Sequence, residues 1–193
     1  YEDDIIDKEY VQEFSTNSMK LINFMSKTID DFRNFFRTDK VKKLFSVHEK
    51  IKDTTNMLMS QLSDHYIELE VDENSFTIMG QESEFQQVIL NLINNSKDAL
   101  IENNISSPHI HIKVEESNDV GIITIHDNAG GIPKDVIERI FEPYFTTKEE
   151  GKGTGLGLYM SKMIIVENMG GELNVKNVEA GALFTIRLKL TKN

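Results

Sequence analysis

A chain of 193 residues is long enough for one medium-sized domain and an additional segment. Its formal net charge of −11 argues against a nucleic-acid-binding surface and against docking on anionic membranes, because both require clustered Lys and Arg. The absence of cysteine excludes disulfides and cysteine-ligated metal sites. No apolar run approaches the roughly 18 residues that cross a bilayer. We expect a cytoplasmic protein. Because the first residue is Tyr1 rather than Met, we also expect upstream segments, which can include an inner-membrane tether.

A long amphipathic helix is predicted over residues 7–37, which contain neither Pro nor Gly. Its apolar residues follow a seven-residue period and form one broad stripe: Val11, Phe14, Leu21, Ile22, Met25, Ile29, Phe32, Phe35 and Phe36. Such a wide stripe is typical of a helical bundle, and no later helix offers a matching face. We therefore expect residues 1–42 to be one unit, paired with a helix from another segment or subunit, and residues 43–193 to be a separate domain.

The remaining elements alternate between strands and helices. The spacing of Ser46 and Glu49 predicts a capping box for a helix that ends near residue 63. Hydrophobic periodicity predicts two more helices, at residues 82–103 and 156–169, and strands at residues 67–71, 76–79, 109–114, 120–126, 173–178 and 183–190. Strands grouped into hairpins beside a few helices indicate an α+β fold, a two-layer sandwich in which helices cover one face of a mixed sheet.

Three Asn residues lie close together in the predicted helix at residues 82–103. Asn91 and Asn95 are four apart and share one side of the helix. Asn has a modest helix propensity, so stability does not explain this choice. The amides either form a polar outer face or bind Mg²⁺ through oxygen, an ion that brings substrate phosphates with it.

A second candidate motif is the stretch from Asp127 to Pro133, which follows a strand of buried character. An Asp at the end of such a strand, followed by two glycines, places a carboxylate in a cleft with little bulk around it. That carboxylate can accept a hydrogen bond from an exocyclic amino group such as that of adenine. The alternative is an ordinary turn, with the glycines at positive φ.

Two further motifs follow at residues 140–148 and 151–158. The first places two Phe and a Tyr around Pro143, which forms either an anchor for a mobile lid or a minor hydrophobic cluster. The second has four glycines at alternate positions and leads into a helix, whose N-terminus can receive phosphate. The segment is unlike a flexible linker, because Leu156 and Leu158 predict that it packs against a hydrophobic core. It is neither a Walker P-loop nor a dinucleotide fingerprint.

In this order, the four motifs resemble the N, first-glycine, F and second-glycine boxes of the sensor histidine kinases. These belong to the GHKL superfamily, which also includes DNA gyrase and MutL. The resemblance covers residues 69–190, and residues 20–37 resemble the second helix of the hairpin that precedes such domains. It implies ATP and Mg²⁺ as ligands, with Mg²⁺ on Asn95 and the adenine amino group on Asp127. The implied ATP-binding residues are Asn91, Asn95, Asp98, Asp127, Gly131, Ile132, Phe145, Thr147, Lys148, Lys152, Gly153, Thr154, Gly155, Leu156, Gly157 and Leu158.

The resemblance also implies a reaction, transfer of the ATP γ-phosphoryl group to a His and then to an Asp of a response regulator, and a homodimer formed through the hairpin helix. None of the five His residues has the expected context of an acidic residue followed by Arg and Pro. We expect the acceptor His upstream of Tyr1, so this chain should not phosphorylate itself. A metal site at His109 and His111 is a weaker possibility, because no third ligand is apparent.

Two departures from the family pattern concern the phosphate side of the site. Ala129 replaces the usual first glycine after the Asp, a change that keeps the backbone small. Some relatives have a Lys three residues after the metal-binding Asn, where this chain has Asp98; Lys97 is one position away.

The alternatives to a kinase are an ATP hydrolase of the gyrase or MutL type and a nucleotide-binding module without activity. The hydrolases carry a Glu one turn before the metal-binding Asn, and Asn91 at that position cannot act as a general base.

Overall fold

The computed structural model describes residues 7–35, 41–149 and 153–191. The elements follow one another along the chain as α1 (Lys8–Phe35), β1 (Lys43–Ser46), α2 (Val47–Asp64), β2 (Glu68–Val71), β3 (Thr77–Gly80), α3 (Glu82–Glu102), β4 (His109–Ser117), β5 (Val120–Asp127), α4 (Lys134–Ile137), α5 (Gly157–Met163), a π-helical turn (Ile164–Asn168), β6 (Glu172–Val178) and β7 (Gly181–Lys189). Helices and strands thus interleave, as the sequence pattern predicts.

Five of the strands form one mixed sheet in the order β2-β4-β5-β7-β6. The β2 and β4 strands are parallel, and the other neighbours are antiparallel. Buried and half-buried residues alternate strictly along β5, so every second side chain enters the core. Ile125, for example, lies between Ile112 of β4 and Phe184 of β7. The predicted α+β class with a mixed sheet is confirmed.

Helices α2 and α3 supply the other half of the core. The fully buried residues of α3 recur three and four apart, which places them on one face: Phe85, Val88, Ile89, Leu92 and Ile93. The capping prediction for α2 holds for its serine, since Ser46 Oγ accepts a hydrogen bond from the Glu49 backbone N–H at 3.3 Å. Because the buried residues of α3 occupy one face, its polar side faces the loops that follow β5.

A second, two-stranded sheet was not expected from the sequence. Strand β3 pairs with β1 in antiparallel register, with Phe45 opposite Ile78. Phe45 is buried and packs on Phe85 of α3, with ring centroids 5.5 Å apart. The β1 strand has four residues, too few for an alternating pattern to emerge. Its partner choice depends on a contact across more than 30 residues of chain.

Helix α1 carries the predicted apolar stripe, five residues of which are exposed. Val11, Phe14, Ile22, Met25 and Ile29 are each 50–63% exposed. The helix ends at Phe35 in the structure, and the predicted last two residues, Phe36 and Arg37, lie outside the described residues. Among the helices of the described part of the chain, none is both long and apolar enough to cross a bilayer.

Candidate functional site

The carboxylate of Asp127, at the end of β5, is the most strongly held polar group of the site. The residue is only 3% exposed. One carboxylate oxygen, Oδ1, accepts the backbone N–H groups of Ala129 at 3.1 Å and Ala182 at 3.2 Å. The other, Oδ2, accepts the hydroxyl of Ser96 at 2.9 Å. Because a carboxylate offers about four acceptor positions, one position on Oδ2 remains for a further donor.

Ser96 brings the Asn-rich side of α3 to this carboxylate. Asn95 precedes it and is half-buried. Within residues 7–35, 41–149 and 153–191, the Asn95 amide makes no hydrogen bond to another residue, so its oxygen is available to a ligand. Neither Ser96 nor the two backbone donors were predicted from the sequence, since nothing local marks a serine on α3 as the partner of an Asp 31 residues later.

Asn91, one turn earlier on α3, is engaged within the protein. Its Nδ2 donates to Ser161 Oγ at 3.0 Å, and Ser161 Oγ in turn donates to the carbonyl of Gly157, also at 3.0 Å. A Cβ on Gly157 would overlap the Asn91 amide oxygen. Gly157 therefore allows the start of α5 to approach α3 directly. The structure thus gives Asn91 a packing and positioning contact with the helix that ends the glycine-rich segment.

The glycine-rich segment packs against the end of the aromatic segment at residues 140–148. A Cβ on Gly153 would overlap the hydroxyl of Thr146, and a Cβ on Gly155 would overlap the backbone of Tyr144. Thr154 Oγ1 accepts the backbone N–H of Leu156 at 3.2 Å. Lys152, which the resemblance places among the ATP-binding residues, lies outside the described residues.

The aromatic segment is anchored by its two Phe side chains and not by its Tyr. Phe141 and Phe145 pack on the hydrophobic core. The Lys162 ammonium lies 4.6 Å from the Phe141 ring centroid, and the Arg139 guanidinium 4.3 Å from that of Phe145. The expectation that all three aromatics pin the segment is wrong for Tyr144, whose side chain is 71% exposed. Only the Tyr144 backbone contributes, through its contact with Gly155.

Asp98 and Lys148 meet across the site. The Lys148 ammonium forms an ion pair with the Asp98 carboxylate, which lies one turn after Asn95 on α3. The Lys97 ammonium donates to Gln61 of α2 at 3.1 Å and lies 3.9 Å from Oδ1 of Asp98. The Asp98 carboxylate thus has two cations near it, Lys148 of the aromatic segment and Lys97 of α3 itself.

The remaining candidate residues divide between loop and core. The Gly131–Ile132 turn is held by Asn177 of β6, whose side chain accepts the Ile132 N–H at 2.8 Å and donates to the Ile132 carbonyl at 2.7 Å. Thr147 is exposed. Leu156 is buried, and Leu158 packs on the core, so both hold the start of α5 in place.

Three of the five histidines lie on β4 and β5: His109, His111 and His126. His111 Nε2 is 3.2 Å from Asp72 Oδ1, and the rings of His109 and His126 meet edge to face with centroids 6.1 Å apart. Among the residues that the structure describes, no group of three His, Asp or Glu side chains is arranged to hold a metal ion. The weaker hypothesis of a metal site at His109 and His111 therefore gains no third ligand.

Comparison with known proteins identifies the family. The model of the histidine kinase-, DNA gyrase B- and HSP90-like ATPases matches residues 80–192. The chain belongs to this family. The two-component sensor PprA of Pseudomonas aeruginosa is 40% identical over 151 residues, which cover 76% of this chain and 16% of PprA. The catalytic domain of histidine kinase ThkA, in a nucleotide-free form, is 27% identical with a TM-score of 0.68, over 78% of this chain and 96% of that domain.

The matches to these relatives support the interpretation of the four motifs independently of the motif resemblance. The sensor-histidine-kinase type of ATP-binding domain is confirmed, and a hydrolase of the gyrase type is not favoured. A structure of ThkA in complex with the response regulator protein TrrA shares the fold, with a TM-score of 0.68 at 21% identity. Since the chain spans 16% of PprA, it corresponds to one part of such a sensor protein.

Replacing Ser96 with Ala should lower the free energy of unfolding by about 2 kcal/mol, because a hydrogen bond to a charged group contributes roughly 1.5–3 kcal/mol. Thr54→Val is a matched control. Thr54 is also buried on a helix, but its hydroxyl donates to an uncharged group, the backbone carbonyl of Lys50, at 2.8 Å. The Thr54→Val change should lower the free energy of unfolding by about 1 kcal/mol or less. Urea denaturation of both variants measures the difference, and equal costs would show that the buried carboxylate does not depend on Ser96.

Proposed function

We propose that the chain binds ATP·Mg²⁺ as the catalytic part of a sensor histidine kinase, formed by residues 43–193. The observation that carries the proposal is the open acceptor position on Asp127 Oδ2. Three protein donors fix the carboxylate, and a fourth donor with the geometry of the adenine amino group completes its hydrogen bonding. A buried carboxylate with an unused acceptor position is costly unless a ligand fills it or water does.

Asn95 is the proposed Mg²⁺ ligand. Its amide is half-buried, lies one residue from the Ser96 contact to Asp127, and shares a side of α3 with Asn91. Mg²⁺ prefers oxygen ligands and keeps several of its waters, so a single amide oxygen together with the ATP phosphates is a suitable set. Bound Mg²⁺ would neutralise phosphate charge during transfer.

Catalysis in phosphoryl transfer is mostly positioning and charge neutralisation, and this chain supplies groups suited to both. We propose that the γ-phosphoryl group passes to a His outside this chain and then to an Asp of a response regulator. Asn91 donates to Ser161 and cannot remove a proton from water, which favours transfer over hydrolysis. The five histidines of the chain lie in sequence contexts unlike that of an acceptor.

A homodimer through α1 is part of the proposal. The exposed apolar stripe of α1, assigned to a unit of residues 1–42, needs a partner surface. A second copy of the chain, together with the first helix of each hairpin, would bury it. The proposed partner in signalling is a response regulator, by analogy with ThkA and TrrA. The proposed location is the cytoplasm, with any membrane contact made by other segments of the full-length protein.

Asp127→Asn tests the adenine contact. The amide can keep Oδ1 as an acceptor, but it turns a donor toward the adenine amino group. We expect ATP affinity to fall about tenfold or more, since hydrogen bonds to charged groups contribute roughly 1.5–3 kcal/mol. The affinity for inosine triphosphate, which has a carbonyl in place of the amino group, should fall much less. Calorimetry with both nucleotides measures this, and equal losses would reject the adenine assignment.

Asn95→Ala tests the metal ligand. Wild type should bind ATP more tightly with Mg²⁺ than in EDTA, and the variant should lose that difference because the amide oxygen is gone. Asn94→Ala is the matched control, since Asn94 is the preceding half-buried amide on α3. It should retain the Mg²⁺ dependence. A variant at Asn95 whose affinity and metal dependence both match wild type would remove this residue from the role.

Incubation of the chain with radiolabelled ATP tests where the acceptor lies. We expect ATP binding without self-phosphorylation, because a His on a strand or at a helix cap of this domain cannot readily reach the γ-phosphate in line. The label is then treated with acid and with alkali, since phosphohistidine is acid-labile and alkali-stable. Such label on the chain, lost when one of its five His is replaced, would contradict an external acceptor.

A further inference from the structure

The hydroxyl of Ser161 on α5 is buried and takes part in two hydrogen bonds. Ser161 is 2% exposed. Its Oγ donates to the Gly157 carbonyl at 3.0 Å, a common bond of a serine inside a helix to the carbonyl four residues earlier. That bond satisfies the hydroxyl but does not explain the serine, because alanine is the better helix former. The second bond, which Ser161 Oγ accepts from Nδ2 of Asn91 at 3.0 Å, is therefore the informative one.

The two bonds fix which end of the Asn91 amide faces α5. A serine hydroxyl carries one proton, and the Gly157 carbonyl has none to give, so that proton goes to Gly157. Toward Asn91, the hydroxyl can then only accept. The amide must turn its nitrogen to Ser161, because its oxygen carries no hydrogen to donate. The oxygen end of the amide is consequently held on the other side.

The Asn91 oxygen held in this way borders the glycine-rich segment and is open to solvent. A Cβ on Gly157 would lie 2.4 Å from Oδ1, at the point where that segment enters α5. Among the residues that the structure describes, none donates a hydrogen bond to this oxygen, and the buried side-chain atoms that lack a partner belong to Gln81 and His126 alone. The oxygen is thus an unused acceptor that solvent reaches. It shares a side of α3 with Asn95, the proposed metal ligand, one turn later.

An amide oxygen and an amide nitrogen at this place would select different partners. The phosphate oxygens of ATP carry no hydrogen for an amide oxygen to accept, so they would pair with the nitrogen end. Water bound to Mg²⁺ is a hydrogen-bond donor, and Mg²⁺ keeps several of its waters when it binds phosphates. Groups that hydrogen-bond the ligands of a metal affect the affinity for that metal. The orientation that Ser161 imposes on Asn91 therefore matches a hydrated cation rather than a phosphate oxygen.

We propose that Ser161 is a positioning residue for metal-dependent nucleotide binding. It commits the Asn91 amide oxygen to the water around Mg²⁺ and withholds the amide nitrogen from the phosphates. The effect of Ser161 on nucleotide affinity then passes through Asn91 and requires the metal. This inference rests on the proposed function, because it takes ATP·Mg²⁺ as the occupant of the cleft.

Calorimetry with ATP in Mg²⁺ and in EDTA, on the 193-residue chain, tests the role of Ser161. Ser161→Ala removes the acceptor, so the Asn91 amide gains rotational freedom that metal binding must remove again. The gain in ATP affinity that Mg²⁺ gives should fall about threefold or more, whereas the affinity in EDTA should stay within about twofold of wild type. Thr54→Val is the matched control, because it removes another buried helix hydroxyl that donates to the carbonyl four residues earlier. It should leave both affinities within about twofold.

Two Asn91 backgrounds show whether Ser161 acts through the orientation of the amide. In Asn91→Ala there is no amide to hold, so adding Ser161→Ala should leave the Mg²⁺ gain of that background unchanged. In Asn91→Asp both ends of the side chain are oxygens, so either orientation offers an acceptor, and adding Ser161→Ala should lower the Mg²⁺ gain by less than about twofold. A loss of about threefold or more in either background would show that Ser161 affects the site without the amide, and would overturn its positioning role.

The outcomes separate this inference from the proposed function. An unchanged Mg²⁺ gain in Ser161→Ala, or equal losses of affinity in Mg²⁺ and in EDTA, would overturn the role of Ser161 while ATP binding by wild type stands. Wild-type affinity of Ser161→Ala in EDTA shows that the variant is folded with an intact nucleotide site. Failure of wild type to bind ATP, or to bind it more tightly with Mg²⁺, would overturn the proposed function itself, and the inference with it.

Discussion

The buried carboxylate of Asp127 is the constraint on which the site depends. An ionised group at this depth is stable only when donors surround it. Its donors come from three places: Ser96 of α3, the turn at Ala129, and Ala182 at the start of β7. Satisfying the carboxylate therefore joins the helical layer to the sheet and sets the position of α3 over β5. The same arrangement leaves one acceptor position for a ligand.

The two sides of helix α3 have different roles. One side is hydrophobic and fills the core. The other presents Asn91, Asn95 and Asp98 at intervals of four and three residues. Asn91 is bonded to Ser161 near the end of the glycine-rich segment, and Asp98 to Lys148 just before it. The segment is thereby anchored on α3 at both ends, which couples its position to whatever occupies the cleft.

Close approach explains Gly153 and Gly157, whereas Gly155 combines close approach with a left-handed backbone at φ 64°. Gly153 and Gly155 each lie where a Cβ would overlap the aromatic segment, and Gly157 lies against the Asn91 amide. The missing side chains let the segment lie directly against the Thr146 hydroxyl, the Tyr144 backbone and the Asn91 amide. In the neighbouring aromatic segment, Phe141 and Phe145 pack on the core and Tyr144 is exposed. The lid interpretation stays a prediction.

The sequence by itself determined the main elements, the α+β class and the family. Periodicity marks the half-buried faces of α3 and of β5, because each alternates between core and solvent along its own length. Motif order pointed to Asn95 and Asp127. Only the tertiary structure decided the partners: Ser96 for Asp127, Lys148 for Asp98, Asn177 for the turn at Ile132, and β1 for β3. A local pattern reports which side of an element faces the core. It carries no information about which distant side chain lies opposite, since packing of the whole chain sets that.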